Sequence, residues 1–156
     1  MSTLFSLKVS CDLETYRTIL IPGTASLYKL AETITKYYGF FFDHAFGFYN
    51  NIDNYYESTE VYTIFADSTD GFGDPDRKEK SVRKTKVNQV FKKDKEMLFL
   101  FDYGDEWLFH ILCLDDEVAR EPRKRYPKLI DQKGEAPEQY PDYDEEDYDD
   151  DYDEEE

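Results

Sequence analysis

The chain has 156 residues, of which 36 are Asp or Glu and 19 are Lys or Arg, and its formal net charge is −17. This length suits one domain with its own core, and no stretch approaches the roughly 18 apolar residues that span a membrane. Two isolated cysteines, Cys11 and Cys113, exclude a disulfide framework and a zinc-knuckle spacing. Because the first residues lack the pattern of a secretory signal, we expect a cytoplasmic protein without membrane contact.

The negative charge is concentrated at the C-terminal end of the sequence. Twelve of the fifteen residues from 142 to 156 are acidic, and the other three are tyrosines. A run of like charges without aliphatic residues cannot bury enough apolar surface to offset the entropy of ordering, so we predict a disordered acidic tail. The expected boundaries are therefore 1–141 for one folded domain and 142–156 for the tail.

The first predicted elements are a β-hairpin and a helix. Apolar and polar residues alternate from Phe5 to Val9, as in a strand with one buried face, and residues 15–21 form its partner. Ser26 is a favourable helix N-cap, and the apolar residues after it follow helical spacing. We expect this helix to cover the apolar face of the hairpin and to end at Gly39.

The middle of the chain predicts shorter elements. Residues 44–49 and 60–66 have the composition of strands, whereas residues 67–75 are rich in Gly and Asp and predict a mobile loop. A single apolar face over residues 87–91 predicts a helix of one or two turns.

The clearest hairpin signal lies near residue 104. Two nearly continuous apolar runs, residues 97–101 and 107–112, flank the short turn sequence between them. Strands with this composition are buried on both faces, so we place the hairpin at the centre of the sheet. The complete order predicts an α+β fold, a β-grasp-like mixed sheet with one main helix across one face and a short second helix.

The same hairpin carries a family resemblance. Residues 101–107, with the sequence FDYGDEW, resemble the aspartate, aromatic, glycine, aspartate, any residue, tryptophan signature of plasmid pRiA4b Orf-3-like domains. Three further stretches fit in the same order, namely the Arg17 strand with the helix after it, HAF at residues 44–46, and residues 134–140. The resemblance implies a compact α+β domain linked to plasmids and mobile elements, and it implies no established reaction.

Two interpretations of the hairpin turn stay open. In the first, the two aspartates accept hydrogen bonds from turn amides, Gly104 takes a positive φ, and Trp107 packs in the core. In the second, Arg17 and three residues of the turn line a recognition groove, because Arg and aromatic side chains concentrate binding energy. The candidate binding residues of the turn and of the neighbouring motifs are Arg17, His44, Asp102, Tyr103, Asp105 and Trp107.

A basic segment contrasts with the acidic whole. Residues 77–95 contain nine Lys and Arg residues but only two acids, Glu79 and Asp94, which gives a local charge of +7. The nine basic residues are Arg77, Lys78, Lys80, Arg83, Lys84, Lys86, Lys92, Lys93 and Lys95. Such a segment can contact phosphates or the acidic tail, and a solvated surface is the plainer interpretation.

We favour a non-catalytic interaction domain that binds a protein and needs no cofactor. The first alternative is a nucleic-acid-associated accessory of a mobile element that uses residues 77–95, which the overall negative charge disfavours. The second is a metal-dependent enzyme around His44 and Asp105, since imidazole and carboxylate are ordinary metal ligands. No metal site is expected, because the candidate ligands match no HxH or HxxxH pattern. A hydrolytic pair of an aspartate and a histidine is not favoured either, because no nucleophile elbow or phosphate-cradling loop is present.

Overall fold

A computed structural model describes residues 3–67 and 79–139. These residues form an eight-stranded mixed sheet with one main helix and one short helix, which confirms the predicted α+β class. The strands are β1 (Leu4–Asp12), β2 (Thr15–Pro22), β3 (Phe46–Tyr49), β4 (Val61–Thr63), β5 (Lys80–Ser81), β6 (Glu96–Phe101), β7 (Trp107–Val118) and β8 (Lys128–Lys133). The helices are α1 (Leu27–Tyr37) and α2 (Val87–Val90), and neither of these described helices has the length and apolar character needed to cross a membrane.

The strands follow the order β5-β4-β3-β6-β7-β1-β2-β8 across the sheet. Neighbouring strands are antiparallel, except that β4 and β5 run parallel. The predicted hairpin of β6 and β7 occupies the two central positions, in agreement with its nearly continuous apolar sequence. The finer β-grasp assignment is not confirmed.

Helix α1 begins and ends where its sequence predicts. The Ser26 Oγ accepts a hydrogen bond from the Lys29 amide at 3.0 Å, and Gly39 beyond the other end has a φ of +74°. This φ lies in the left-handed region, which glycine adopts without the steric cost of a Cβ atom. The apolar side of α1, including Leu30 and Ile34, is fully buried in one cluster with side chains of the sheet.

The sheet has an inner face toward α1 and an outer face on the opposite side, because side chains alternate along each strand. The inner face carries the main core, in which Phe48, Phe99 and Phe109 are completely buried. On the outer face, Ile52, Tyr55 and Tyr103 pack over β3, β4 and β6. The outer face of β7 is different, since Leu108 and Leu114 remain 39% and 40% exposed there.

Three predictions about strands need correction. Strand β3 begins at Phe46 rather than at residue 44, because the chain bends at His44, whose side chain turns to Asp43 and Asp102. Strand β4 contains only Val61–Thr63, and the chain then forms a 3-10 helix at Ile64–Asp67, so the predicted strand 60–66 is too long. The sequence interpretation missed β5 and β8, which are short or largely exposed edge strands and carry no buried alternation.

Some predictions concern residues outside the described ranges. They are the loop after Asp67, the first two basic residues of the segment 77–95, and the acidic tail 142–156.

Candidate functional site

The turn between β6 and β7 is built around Asp102. Its Oδ1 accepts hydrogen bonds from the amides of Gly104 and Asp105, at 3.1 and 3.2 Å, as the first interpretation of the turn expects for one of the two aspartates. The side chain of Asp105 is exposed, and this residue contributes its amide instead. The prediction of a positive φ at Gly104 is wrong, because the left-handed conformations are those of Asp102, at 68°, and Glu106, at 54°. Asp adopts this region more readily than most residues because its short side chain can bond locally to the backbone.

His44 lies beside this turn. Its Nε2 is 3.4 Å from Asp102 Oδ2 and 3.5 Å from Asp43 Oδ1, and its ring meets the ring of Phe101 edge-on. The structure therefore brings together two of the predicted site residues, His44 and Asp102. Because Asp102 also binds the turn amides, this contact joins the chain before β3 to the turn after β6.

Gln139 adds a second connection to the same region. Its side chain donates to the Phe41 carbonyl at 3.2 Å and to Asp43 Oδ1 at 3.3 Å, and it accepts from the Phe41 amide at 2.6 Å. Gln139 lies in the stretch 134–140 that fits the family resemblance, but its role was not predicted, since a single Gln has no characteristic spacing. The last described residues are thus anchored beside the chain that follows α1.

The side chains that could bind a metal ion do not form a metal centre in residues 3–67 and 79–139. Within these ranges no group of three or more His, Cys, Asp or Glu side chains is arranged to hold a metal ion. The metal-dependent alternative around His44 and Asp105 stays a prediction.

Arg17 is buried on the inner face of the sheet and binds backbone groups there. The residue is only 5% exposed to solvent, and its guanidinium donates to the carbonyls of Tyr37, Tyr16 and Lys133 at 3.2, 2.8 and 3.1 Å. The same group lies 4.9 Å from the centre of the Tyr38 ring. Arg17 thereby joins β2, β8 and the C-terminal end of α1.

Tyr103 lies on the outer face, on the opposite side of the sheet from Arg17. Its hydroxyl is 2.7 Å from the hydroxyl of Tyr49, and burial raises the pKa of Tyr103 well above its usual range. Gly47 leaves room for it, since a Cβ atom at that position would come 2.7 Å from the Tyr103 hydroxyl. The proposed groove that would combine Arg17 with Tyr103 is therefore split between two faces.

Trp107 is partly buried at the start of β7, against the main core. Its ring meets Phe40 edge-on with 5.0 Å between centroids, in agreement with the packing role of the first interpretation. Its buried Nε1 has no hydrogen-bond partner among the described residues. Tryptophan thus contributes mainly apolar contact at this position.

The basic segment divides into two groups in the structure. Near α1, the four residues Lys80, Arg83, Lys84 and Lys86 are exposed. Near β6, Lys92 and Lys93 are exposed, whereas Lys95 is partly buried and pairs with Glu60 at 3.0 Å.

The Glu60 carboxylate provides a pH-dependent contribution to stability. Burial acts to raise the pKa of Glu60, but hydrogen bonds from Tyr62 and Lys95 outweigh it, and the net shift is downward. A carboxyl group with a lower pKa in the folded state stabilises the fold above its unfolded pKa of about 4.3, and this contribution is lost as the pH falls through the folded pKa.

We therefore expect Glu60→Gln to lower the melting temperature near pH 7 and to have a smaller effect near pH 3, below the unfolded pKa, with the remainder lost as the pH falls through the folded pKa. Thermal unfolding across this range measures the difference. Glu32→Gln is the matched control, because Glu32 makes only an exposed pair with Lys29. A Glu60→Gln deficit that is equally large at both pH values would contradict the assignment.

A groove on the outer face was not predicted from the sequence. It has a volume of about 510 Å³. The residues that line it include Lys8, Ser10, Tyr16, Leu98, Leu108 and His110, and we call it the outer groove. The continuous apolar run of β7 suggested burial on both faces, whereas the structure buries Phe109 and leaves Leu108 exposed. The alternation of inward-facing Trp107 and Phe109 with outward-facing Leu108 and His110 follows from the period of a strand, and it could have indicated that Leu108 lies on the outer face.

Comparisons with known proteins agree with this fold. The sequence matches the family described as plasmid pRiA4b ORF-3-like protein over residues 4–146. The chain belongs to this family. The resemblance inferred from residues 101–107 is confirmed, and these residues form the Asp102 turn and the start of β7.

Among solved structures, the crystal structure of the protein of unknown function MM3350 from Methanosarcina mazei Go1 is similar to this chain. The TM-score is 0.67 at 20% sequence identity, and the similarity covers 85% of this chain and 70% of that chain. At this identity the similarity shows a common fold and no more. The comparison with curated proteins found no match.

The turn hydrogen bonds of Asp102 lead to a prediction. Asp102→Ala removes the acceptor of two turn amides and leaves a residue with a Cβ atom at a positive φ, so we expect a loss of about 1.5 kcal/mol in unfolding free energy. Asp102→Asn retains an acceptor oxygen and tolerance for this φ, so it is expected to lose less than half as much. Urea unfolding of both variants tests the prediction, and equal losses would show that the turn hydrogen bonds are not responsible.

Proposed function

We propose that this member of the pRiA4b ORF-3-like family is a non-catalytic protein-binding domain that binds its partner in the outer groove. The observation that carries the proposal is the exposed apolar surface of β7 next to a groove of about 510 Å³. The part of each leucine that remains exposed to water does not stabilise the fold, and it supplies apolar area when a partner covers it.

The composition of the outer groove indicates the chemistry of the partner. Leu98 and Leu108 provide an apolar floor, and Tyr16 provides an aromatic wall. The Lys8 ammonium lies 4.4 Å from the centre of the Tyr16 ring and makes no ion pair with a described residue. A protein segment with an apolar side and a carboxylate positioned for Lys8 therefore fits this surface.

The test uses the full chain as bait in a lysate of its source, with quantitative mass spectrometry of the proteins retained. The two test variants are Leu108→Glu, which places a charge on the floor, and Lys8→Glu, which reverses the charge at the wall. Phe41→Glu is the matched control, because Phe41 is an exposed apolar residue away from the groove. Thermal unfolding of every variant establishes that the fold is intact.

The expected result is a partner that the wild type and Phe41→Glu retain equally and that both test variants retain at least about tenfold less, which corresponds to roughly 1.4 kcal/mol of binding energy. The proposal is wrong if no retained protein distinguishes the test variants from the control. Loss of the partner from all three variants, the control included, would also contradict the proposal, because binding would then not depend specifically on the outer groove.

A further inference from the structure

The basic residues nearest α1 form an exposed patch with a fixed backbone. The patch consists of Lys80, Arg83, Lys84 and Lys86, and we call it the 80–86 patch. The backbone of the patch is held by two amides in the first turn of α1. The Leu27 amide donates to the Thr85 carbonyl at 2.9 Å, and the Tyr28 amide donates to the Val82 carbonyl at 3.0 Å. The Arg83 guanidinium lies 4.6 Å from the centre of the Tyr28 ring. The patch thus presents cations and an aromatic ring together.

The acids of the folded domain are distributed unevenly around the basic segment. At its C-terminal end, Lys95 pairs with Glu60, and the Lys93 amide donates to the Asp116 carboxylate at 3.1 Å. Lys84 and Lys86, like Lys92 and Lys93, make no ion pair with any residue in the described ranges. The four cations of the 80–86 patch have one acid beside them in sequence, Glu79, whereas three acids, Asp94, Asp116 and Glu60, accompany residues 92–95. The unbalanced positive charge is therefore greatest in the 80–86 patch.

The same chain contains a segment of opposite charge and sufficient length. Residues 142–156 carry twelve carboxylates and three tyrosines, and they begin three residues after Gln139. Gln139 is anchored to Phe41, close to the C-terminal end of α1, whereas the patch adjoins its N-terminal end. The eleven residues of α1 span about 16 Å, and fifteen extended residues reach about 50 Å. The acidic segment is thus long enough to reach the patch.

We propose that the acidic segment, residues 142–156, docks on the 80–86 patch of its own chain. Exposed ion pairs are individually weak, but the covalent connection keeps the carboxylates at a high effective concentration near the patch. Ions in solution screen such contacts, so docking is strong at low salt and is lost at high salt. The contact lies apart from the outer groove, and it occupies the cations that a phosphate backbone would otherwise bind.

Carbodiimide cross-linking of the full chain tests this contact, because it joins a carboxylate directly to a neighbouring lysine amine. Mass spectrometry then counts links from residues 142–156 to Lys84 and Lys86, and to Lys29 and Lys36 as exposed reference amines on α1. An equal mixture of unlabelled and nitrogen-15-labelled chains separates links within one chain from links between copies. The measurement is made in about 10 mM and about 1 M salt.

We expect at least tenfold more links to Lys84 and Lys86 than to the reference amines at low salt, within single chains, and a ratio near one at high salt. An equal distribution at low salt, or links only between copies, would overturn the proposal.

Hydrogen exchange provides a second, independent measurement. A full-length variant in which the twelve acids of the tail are replaced by Asn and Gln is expected to exchange the amides of residues 80–86 faster than the wild type at low salt. Identical exchange rates would overturn docking. A DNA duplex that binds the wild type at the same salt, and does not bind Lys84→Gln/Lys86→Gln, would also overturn it and would assign the patch to nucleic acid.

Discussion

Replacing Arg17 with alanine is expected to lower the free energy of unfolding by about 3 kcal/mol. The guanidinium of this residue, which is only 5% exposed, donates to three backbone carbonyls, on β2, on β8 and at the end of α1. Alanine leaves these carbonyls without their donor and also removes the contact with the Tyr38 ring. Urea unfolding followed by circular dichroism measures the loss.

Two further variants separate this role from a general effect of losing an arginine. Arg17→Lys keeps the charge but replaces a planar fork with one ammonium, so we expect roughly half of the loss. Arg120→Ala is the matched control, because Arg120 is exposed and also lies over a tyrosine ring, that of Tyr126. Its expected cost is below about 0.5 kcal/mol. Similar losses for Arg17→Ala and Arg120→Ala would show that the three hydrogen bonds of Arg17 contribute little to the free energy of unfolding.

Gly47→Ala is expected to lower the unfolding free energy by about 2 kcal/mol, because the added methyl group overpacks the outer face. Its Cβ atom would come 2.7 Å from the Tyr103 hydroxyl, 3.0 Å from Thr63 Cγ2 and 3.1 Å from Tyr49 Cε1. The Tyr103 ring must then move and loses its hydrogen bond with Tyr49.

A double-mutant cycle identifies the cause of this loss. Tyr103→Phe alone is expected to cost about 1 kcal/mol, but it removes the atom closest to the new methyl group. The double variant should therefore lose about 1 kcal/mol less than the sum of the two single variants. Tyr38→Phe is the control second site, because the Tyr38 hydroxyl donates to Val9 in the main core. Additive losses for Gly47 and Tyr103 would show that the hydroxyl is not the source of the strain.

The helix and the central hairpin were predictable because their burial is regular along the sequence. Helix α1 has a capping Ser26, a helical apolar pattern and a terminal Gly39, while β6 and β7 are nearly continuous apolar runs. Strand β8 carries no such signal, since it is paired only to β2 and is largely exposed. Its place in the sheet depends on backbone pairing and on the Arg17 network, which no periodicity reveals.

The candidate site was predicted only in part, because its residues are related through the fold and not through spacing. The local role of Asp102 could be inferred from turn chemistry, and the structure adds the contact with His44. The side of the sheet occupied by Tyr103 depends on Gly47, which lies in another strand. The outer groove was missed because an apolar sequence does not show which of its two faces remains uncovered.

The pairing of β1 with β7 has a consequence for synthesis on the ribosome. Leu4 lies opposite Val118 and Ser10 lies opposite His110, so the first strand acquires its central neighbour only after most of the described chain has been made. Until then the nascent hairpin of β1 and β2 has an open hydrogen-bonding edge, of the kind that other unfinished chains and chaperones recognise. Contacts between residues so distant in sequence also make the final step slow relative to that of a helical domain, which prolongs the time for which this edge stays open.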